Sequence, residues 1–285
     1  MMLDNELAAV RRLMAEVMAE TVLRKLIPDC QSLLGNGKML RSRLLIRVGT
    51  AAGVAPSTLH HAAAAVELIH AASLLHDDVI DGGFLRRNLP TFWSEKGVPG
   101  AILVGDLMLF KALDVAGRVE DGRLVNSLVR MTGEVCDAES EQELVLRGQT
   151  AFWEHSVRIA RRKTGALFAF AAHACGGADA VLSTTLRDAG YAVGTAYQLA
   201  DDIMDANGDE AEAGKTLGTD QARAKTTAAT AWDGPTDASA YVDLLTRQAA
   251  DSLAPWPAVH AAWIGYVEQD LRPALARLIA SPSRA

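Results

Sequence analysis

The stretch Leu68–Thr91, LIHAASLLHDDVIDGGFLRRNLPT, places three aspartates at the end of an apolar segment with helical composition. Asp77 and Asp81 are four residues apart, so on a helix their carboxylates lie on one face about one turn apart. Negative charge at a helix C-terminus opposes the helix macrodipole. Two carboxylates about 6 Å apart in an effective dielectric of about 20 repel by roughly 3 kcal/mol. We therefore expect a cation to compensate this helix end.

The same pattern recurs downstream in YQLADDIMD, residues 197–205, where Asp201 and Asp205 are again four apart. Either motif by itself fits a pair of solvated charges at a helix end. Two motifs of this kind, each ending a long apolar helix, can instead hold a cation between them. Oxygen ligands without His or Cys partners favour Mg²⁺ over zinc. The pair of motifs therefore predicts a magnesium site.

Basic residues lie close to both acidic motifs along the chain. Arginine forks and lysine ammonium groups suit phosphate oxygens, so metal and cations together predict a pocket for diphosphates. Each basic residue taken singly is better explained as an ordinary surface charge. The candidates are Lys38, Arg41, Arg86, Arg87, Lys163, Lys215 and Lys225.

The composition predicts an all-α fold in a single domain over residues 1–285. Of the 285 residues, 49% are hydrophobic, which is enough for a substantial core. Helix-forming residues dominate, and alternating β-branched runs are nearly absent. The predicted helices are 5–26, 39–52, 57–80, 99–117, 121–145, 151–174, 180–206, 238–252 and 256–280.

Charge and sequence pattern also exclude several classes of protein. A formal net charge of −7 argues against a nucleic-acid binder. Three cysteines without regular spacing suggest neither a disulfide framework nor a zinc site. No segment has the length and apolarity of a spanning helix, and the N-terminus lacks signal-peptide features. We expect a cytoplasmic protein without stable membrane insertion.

These motifs, in this order, resemble those of the all-trans isoprenyl diphosphate synthases, also called polyprenyl synthetases. The resemblance covers most of the chain and implies a bundle of long helices around a central cavity, working as a homodimer. Its substrates would be isopentenyl diphosphate and an allylic prenyl diphosphate. The matching segments are GNGKMLRS, LLHDDVIDGGFLRRNLPT, GDLMLFKAL, KTGALF, YQLADDIMDANGD, and GKTLGTD with AKTT.

The resemblance implies a role for each matching residue. Several Mg²⁺ ions would be bound directly by Asp77, Asp81 and Asp201, with support from Asp78, Asp202 and Asp205. The allylic diphosphate would be held by Arg86, Lys163, Lys215 and Lys225. Isopentenyl diphosphate would be held by Lys38, Arg41, His70 and Arg87. Thr164 and Gln198 would lie near the reacting allylic carbon.

Three positions depart from the family pattern. Ser42 stands where the family usually has proline, and Asn88 where it has glycine. Neither change removes a charged ligand. Lys225 lacks its usual glycine and proline neighbours, so its assignment is the least secure.

Small residues precede the first aspartate motif. Ser73 and Ala72 lie about one turn before Asp77, where short-chain family members often carry an aromatic residue. We therefore expect a product of C20 or longer. A floor to the cavity would come from Ile69, Met108 or Phe110.

Two other functions use similar motifs. A class I terpene cyclase would lack the second DDxxD motif and the Lys38/Arg41 pair. A non-catalytic partner subunit of a heteromeric synthase would typically lose one aspartate cluster. A purely structural helical protein would not need converging carboxylates.

Overall fold

The computed structural model describes residues 2–26, 37–86, 89–120, 122–207, 227–231, 233–234 and 238–279, with backbone alone at 204–207, 230, 238 and 277–279. Its α-helices are α1 Met2–Ala19, α2 Leu23–Leu26, α3 Leu40–Ala51, α4 Pro56–Asp81, α5 Phe92–Gly117, α6 Gly122–Ser140, α7 Trp153–Ala160, α8 Ala166–Ala174, α9 Ala180–Asn207, α10 Ala238–Asp251, α11 Pro257–Tyr266 and α12 Arg272–Ile279. Three π-helical turns, Glu141–Val145, Arg161–Gly165 and Val267–Leu271, and one 3₁₀ turn, Ala228–Thr230, complete the helical part.

The predicted all-α fold class is confirmed. Within the described ranges the extended structure is a single antiparallel hairpin, in which β1 (Leu85–Arg86) pairs with β2 (Leu89–Pro90). The helical part of this chain follows from its composition, because long runs of good helix formers are separated by short Gly, Pro and polar segments.

Two helix boundaries differ from the sequence prediction. The predicted helix 5–26 is two helices. The Thr21 hydroxyl donates a hydrogen bond to Met18 O at 2.7 Å and accepts one from Leu23 N at 3.2 Å, and these bonds interrupt the helix. The helix predicted at 99–117 starts earlier, at Phe92, with a break at Gly97, whose φ is 77°. Local polar and glycine geometry, not hydrophobic periodicity, sets these ends.

Helices α4 and α8 form the centre of the bundle. Ala62 through Leu68 on α4 and Ala166 through Ala172 on α8 are buried on every side. A helix that is apolar all round is stable only when other helices surround it. Here α3, α5, α6 and α9 pack around this pair. Among the described helices, none has the length and apolar run needed to cross a bilayer.

Candidate active site

A short hairpin folds back over the C-terminus of α4. Gly82 ends the helix in the left-handed conformation, with φ of 66°, which glycine adopts without steric penalty. The carbonyl of Gly83 then accepts hydrogen bonds from the Thr91 hydroxyl and the Trp93 indole, each at 2.8 Å. These bonds fix the turn that carries Arg86 back to the helix end.

Arg86 neutralises one of the three aspartates. Its Nε and Nη2 reach Oδ1 of Asp78 at 2.8 and 2.7 Å. The side chain of Asp78 is buried, and burial raises the pKa of its carboxyl while Arg86 offsets part of that rise. Asp78 therefore points into the hairpin, while Asp77 and Asp81 stay half-buried at the helix end.

Lys163 connects two π-helical turns. It belongs to the turn Arg161–Gly165, and its Nζ forms an ion pair with Glu139 and lies 3.3 Å from Gln142 Oε1, which belongs to the turn Glu141–Val145. Such turns are rare and occur often at functional sites, because the extra residue changes the direction of the side chains. The two turns together place a lysine ammonium beside the end of α4.

The charge of Lys163 is stabilised by the first aspartate motif. Burial lowers the pKa of Lys163, but the negative charges of Asp77, Glu139 and Asp81 outweigh it and raise the pKa above its usual value. The lysine is therefore a permanent cation, and it lies close enough to Asp77 and Asp81 to feel their field.

Arg86 connects the first motif to the second. Burial lowers the pKa of Arg86, yet Asp78, Asp77 and Asp201 raise it overall. Because Asp77 lies on α4 and Asp201 on α9, one guanidinium feels aspartates from both helices. The two acidic helix ends therefore lie at the same end of the bundle.

Two glycines bring the π turn of Lys163 against α9. A Cβ built on Gly194 would lie 2.6 Å from Gly165 Cα, closer than packed atoms approach. Without side chains at this crossing, Thr164 lies beside Gln198, one turn after Gly194, and its Oγ1 donates a hydrogen bond to Gln198 Oε1. Gln198 in turn donates from Nε2 to Asp202 Oδ1 at 2.7 Å.

Lys38 and Arg41 meet on a pair of aromatic rings. Lys38 Nζ lies 5.9 Å from the centre of the Tyr197 ring, and the Arg41 guanidinium lies 4.7 Å from that of Phe168. The two ring centres are 6.1 Å apart. Arg41 is buried, and its Nε has no hydrogen-bond partner among the described residues. A buried guanidinium with an unused donor is a natural place for an anion.

Ser42, which stands where the family usually has proline, connects two helices. Its amide and hydroxyl donate to Glu67 Oε1 at 3.1 and 2.8 Å, which joins the start of α3 to the middle of α4. Proline has no N–H and no hydroxyl, so it could make neither bond. Burial lowers the pKa of Arg41, and the nearby charge of Glu67 opposes that shift.

Three polar residues near the candidate site escaped the sequence interpretation. Glu139 and Gln142 appear in the sequence as part of the solvated face of an amphipathic helix. Glu67 had a usable signal, because a single acid inside the apolar run AAAAVELIHAAS needs a buried partner.

Four predicted site residues lie wholly or partly outside the described part of the chain. Arg87, Lys215 and Lys225 lie outside the described residues, and of Asp205 only the backbone is described. His70 is half-buried and precedes Asp77 by two helical turns on the same face. His76 packs against α5, 3.3 Å from Ile102 O and 3.4 Å from Asp106, in space that a side chain at Gly105 would occupy.

The donor set fits a hard divalent cation. Within the described part of the chain, no group of three or more His, Cys, Asp or Glu side chains is arranged as a complete metal site. Mg²⁺ commonly uses one or two carboxylates and fills its shell with water and substrate phosphates. The half-buried Asp77, Asp81 and Asp201 supply carboxylate oxygens, and the raised pKa values of Arg86 and Lys163 show the negative potential that attracts cations.

Comparison with known proteins identifies the family. The model of the polyprenyl synthetase family matches residues 25–244, and the chain belongs to that family. It is 32% identical over 197 residues to the octaprenyl diphosphate synthase of Haemophilus influenzae, a match that covers 68% of this chain and 60% of the relative. It is 34% identical over 210 residues to the farnesyl diphosphate synthase of Geobacillus stearothermophilus, covering 69% and 71% of the two chains.

A solved structure supports the fold over nearly the whole chain. The polyprenyl synthase of Caulobacter crescentus, complexed with calcium and isoprenyl diphosphate, superposes with a TM-score of 0.72 at 27% identity and covers 98% of this chain and 94% of that one. The family and the isoprenoid synthase fold predicted from the sequence are therefore confirmed. The sequence match spans less than two thirds of the Haemophilus relative's length.

The pair Asp78–Arg86 makes a prediction for stability. Arg86→Ala leaves the buried Asp78 carboxylate without its partner, so we expect the free energy of unfolding to fall by about 1–3 kcal/mol. The double variant Arg86→Ala/Asp78→Asn should recover most of that loss, because the uncompensated charge is gone. Urea unfolding followed by circular dichroism measures both values.

The exposed pair Arg187–Asp188 provides the matched control for this experiment. Arg187→Ala should change stability by no more than about 0.5 kcal/mol. If Arg86→Ala and Arg86→Ala/Asp78→Asn lose the same free energy of unfolding, the uncompensated charge of Asp78 is not the cause of the loss.

Proposed function

We propose that this protein is a trans-prenyltransferase that condenses isopentenyl diphosphate with an allylic diphosphate. The observation that carries the proposal is that the acidic ends of α4 and α9 meet at two half-buried cations. Arg86 pairs with Asp78 of α4 and lies in the field of Asp201 of α9, and Lys163 lies in the field of Asp77 and lines one small cavity with Asp202 of α9. A class I terpene cyclase would lack the second acidic motif, and a non-catalytic partner subunit would typically have lost one of the two.

The allylic diphosphate is held at this acidic end. Arg86 and Lys163 supply fixed positive charge for its oxygens, with Lys215 and Lys225 as further candidates. Mg²⁺ would be held by Asp77, Asp81 and Asp201, with help from Asp78 and Asp205, and would supply the charge neutralisation that lets a diphosphate leave. Lys163 is paired with Glu139 and Gln142 before substrate arrives, so its position is set in advance.

The second substrate is held on the aromatic side of the cavity. The buried guanidinium of Arg41 and the ammonium of Lys38 lie over neighbouring rings and offer a fixed pair of cations for the diphosphate of isopentenyl diphosphate. His70 and Arg87 are the other candidates for this subsite.

The reaction then proceeds by ionisation, condensation and elimination. The allylic C–O bond breaks with its electron pair going to the diphosphate, and the π bond of isopentenyl diphosphate attacks the allylic cation. Loss of one proton to the released diphosphate gives a product five carbons longer with a new trans double bond. Thr164 and Gln198 present oxygen atoms near the reacting carbon and stabilise its positive charge.

Substitution of the aspartates tests the reaction. Asp77→Ala and Asp201→Ala should each lower turnover by a factor of about 10² or more without unfolding the chain, because the leaving diphosphate loses its neutralising shell. The assay supplies isopentenyl diphosphate, allylic primers of five to twenty carbons and Mg²⁺, and sizes the products. Asp188→Ala, an exposed carboxylate on the same helix as Asp201, is the control.

Each outcome of this assay discriminates between the functions. Chain extension by the unaltered protein supports a synthase. A cyclic hydrocarbon would identify a terpene cyclase, and inactivity that a second subunit relieves would identify a partner subunit. Full turnover in both aspartate variants would refute the assigned site.

We further propose a product of C20 or longer. Ala72 is fully buried, and Ser73 hydrogen-bonds to His70 O at 2.9 Å, so neither carries bulk into the cavity beside the first aspartate motif. Ile69 and Met108 are buried and fit the role of a floor. Phe110 is 71% exposed, so its prediction as a floor residue is wrong. The named relatives make both farnesyl and octaprenyl products, so family membership does not decide the length.

An aromatic residue at position 73 should shorten the product. Ser73→Phe places a ring where we expect the growing tail, so the main product should lose at least one five-carbon unit while the rate of the first condensation stays within about threefold. Chromatographic sizing of the dephosphorylated products measures this. Ser73→Ala is the control of equal size, and an unchanged distribution with Ser73→Phe would place the tail elsewhere.

An exposed apolar stripe supports the homodimer. Leu103 and Phe110 are seven residues apart on one face of α5 and are 67% and 71% exposed, with Ile102 beside them and Val129 exposed on the next helix, α6. Exposed apolar residues that form a stripe mark interaction surfaces more often than scattered ones do. We propose that a second copy of this chain covers the stripe.

Charge placed in the stripe should separate the subunits. Leu103→Glu/Phe110→Glu buries two carboxylates if the dimer forms there, so we expect monomers in sedimentation velocity at micromolar concentration. Val181→Glu, an equally exposed apolar position on α9, should leave association unchanged. A double variant that sediments like the unaltered protein would exclude this face.

A further inference from the structure

We infer that Asp202 is a positioning residue that sets the polarity of a hydrogen-bond chain ending at Thr164, and that it does not act as a metal ligand. The inference rests on the proposed function, because the chain ends where the allylic carbon would react. Its neighbour Asp201, half-buried and within the field of Arg86, keeps the metal-binding role.

The side chain of Asp202 is turned inward between two hydrogen-bond donors. It is 8% exposed. Its Oδ1 accepts from Gln198 Nε2 at 2.7 Å, and its Oδ2 accepts from the backbone N–H of Ala228 at 3.0 Å. Asp202 also lines a small cavity of about 30 Å³ together with Gln142 and Lys163.

A carboxylate can only accept hydrogen bonds, and this decides how Gln198 is oriented. Gln198 must turn its NH₂ group towards Asp202, so its carbonyl oxygen faces Thr164. The Thr164 hydroxyl has a single hydrogen, and that hydrogen is donated to Gln198. The lone pairs of Thr164, and not its hydrogen, are then left for an allylic cation.

The alternative orientation would oppose the reaction. If Gln198 offered its NH₂ group to Thr164, the hydroxyl would accept that bond and direct its own hydrogen elsewhere. A hydroxyl hydrogen facing the reacting carbon carries partial positive charge and repels a developing cation. The buried carboxylate of Asp202 therefore selects the polarity that favours ionisation, although it touches no substrate.

Asp202→Asn tests the polarity. The N–H of Ala228 needs an acceptor, so the new amide turns its oxygen there and its NH₂ group to Gln198, which must then reverse. We expect kcat to fall by about 10- to 100-fold, as is typical when a residue that orients an active-site group is changed. KM for both substrates and the Mg²⁺ concentration for half-maximal activity should change by less than about twofold, since no substrate or metal contact is lost.

A second substitution should restore the polarity. In Asp202→Asn/Gln198→Glu, the new carboxylate accepts from the new amide on one side and from Thr164 on the other, with the charge of the pair unchanged. We expect kcat to recover by about tenfold over the single variant. Gln198→Glu alone, which sets two carboxylates against each other, should be less active than the double variant.

Controls separate this role from folding and from metal binding. Asp188→Asn is the matched carboxylate-to-amide change on the surface of α9, and thermal unfolding checks every variant. Thr164→Val leaves the bond between Asp202 and Gln198 in place and should reproduce the loss of kcat without a change in Mg²⁺ requirement, so it tests the chain even if Asp202→Asn does not fold.

Three results would overturn the inference. They are a raised Mg²⁺ requirement in Asp202→Asn like that of Asp201→Asn, the absence of recovery in the double variant, and normal kcat in Thr164→Val. An unaltered protein that fails to extend any primer would instead refute the proposed function itself, which keeps the two failures distinct.

Discussion

Negative charge concentrated at two helix C-termini is the constraint around which the rest of this site is arranged. The carboxylates of Asp77 and Asp201 add to the negative ends of the helix dipoles of α4 and α9, so the arrangement is unfavourable unless cations approach closely. Arg86 and Lys163 do so. Asp77 stabilises both cations against the cost of their own desolvation, and Asp201 adds to this at Arg86. Acids and bases therefore stabilise one another. The carboxylates attract a divalent cation, and the basic side chains together with that cation attract a polyanionic substrate.

Backbone geometry brings these charges together. The left-handed Gly82 and the hairpin after it turn the chain so that Arg86 returns to the helix it has just left. A π turn presents Lys163 and Thr164 from what would otherwise be a regular helix, and the close contact between Gly165 and α9 sets Thr164 beside Gln198. Each of these irregular features lies next to a residue with a proposed role, while the regular helices behind them supply the rigid support that such a site needs.

Adjacent carboxylates in the same motif have different environments. Asp78 and Asp202 are each the second residue of their motif, and both are buried and bonded to protein donors. Asp77 and Asp201 precede them by one residue, which is about 100° of helix rotation, and remain half-buried at the helix ends. The repeated DD pair thus combines an outer carboxylate for ligands with an inner one that fixes Arg86 or Gln198. Ser42 also has a structural role of this kind. It stands where the family usually has proline, and its amide and hydroxyl bond to Glu67.

The sequence by itself determined the family, the all-helical fold and nearly all helix positions, because helix propensity, apolar periodicity and punctuation by Gly and Pro are local properties. It also determined which residues carry charge at the two motifs, because spacing along a helix fixes the face. Only the tertiary structure decided that Glu139 and Gln142 hold Lys163, that Phe110 lies on the surface, and that Asp202 accepts a hydrogen bond from the amide of Ala228. Those facts depend on how separate helices pack and where a helix is locally irregular, and contacts between residues far apart in the chain leave no periodic signal within it.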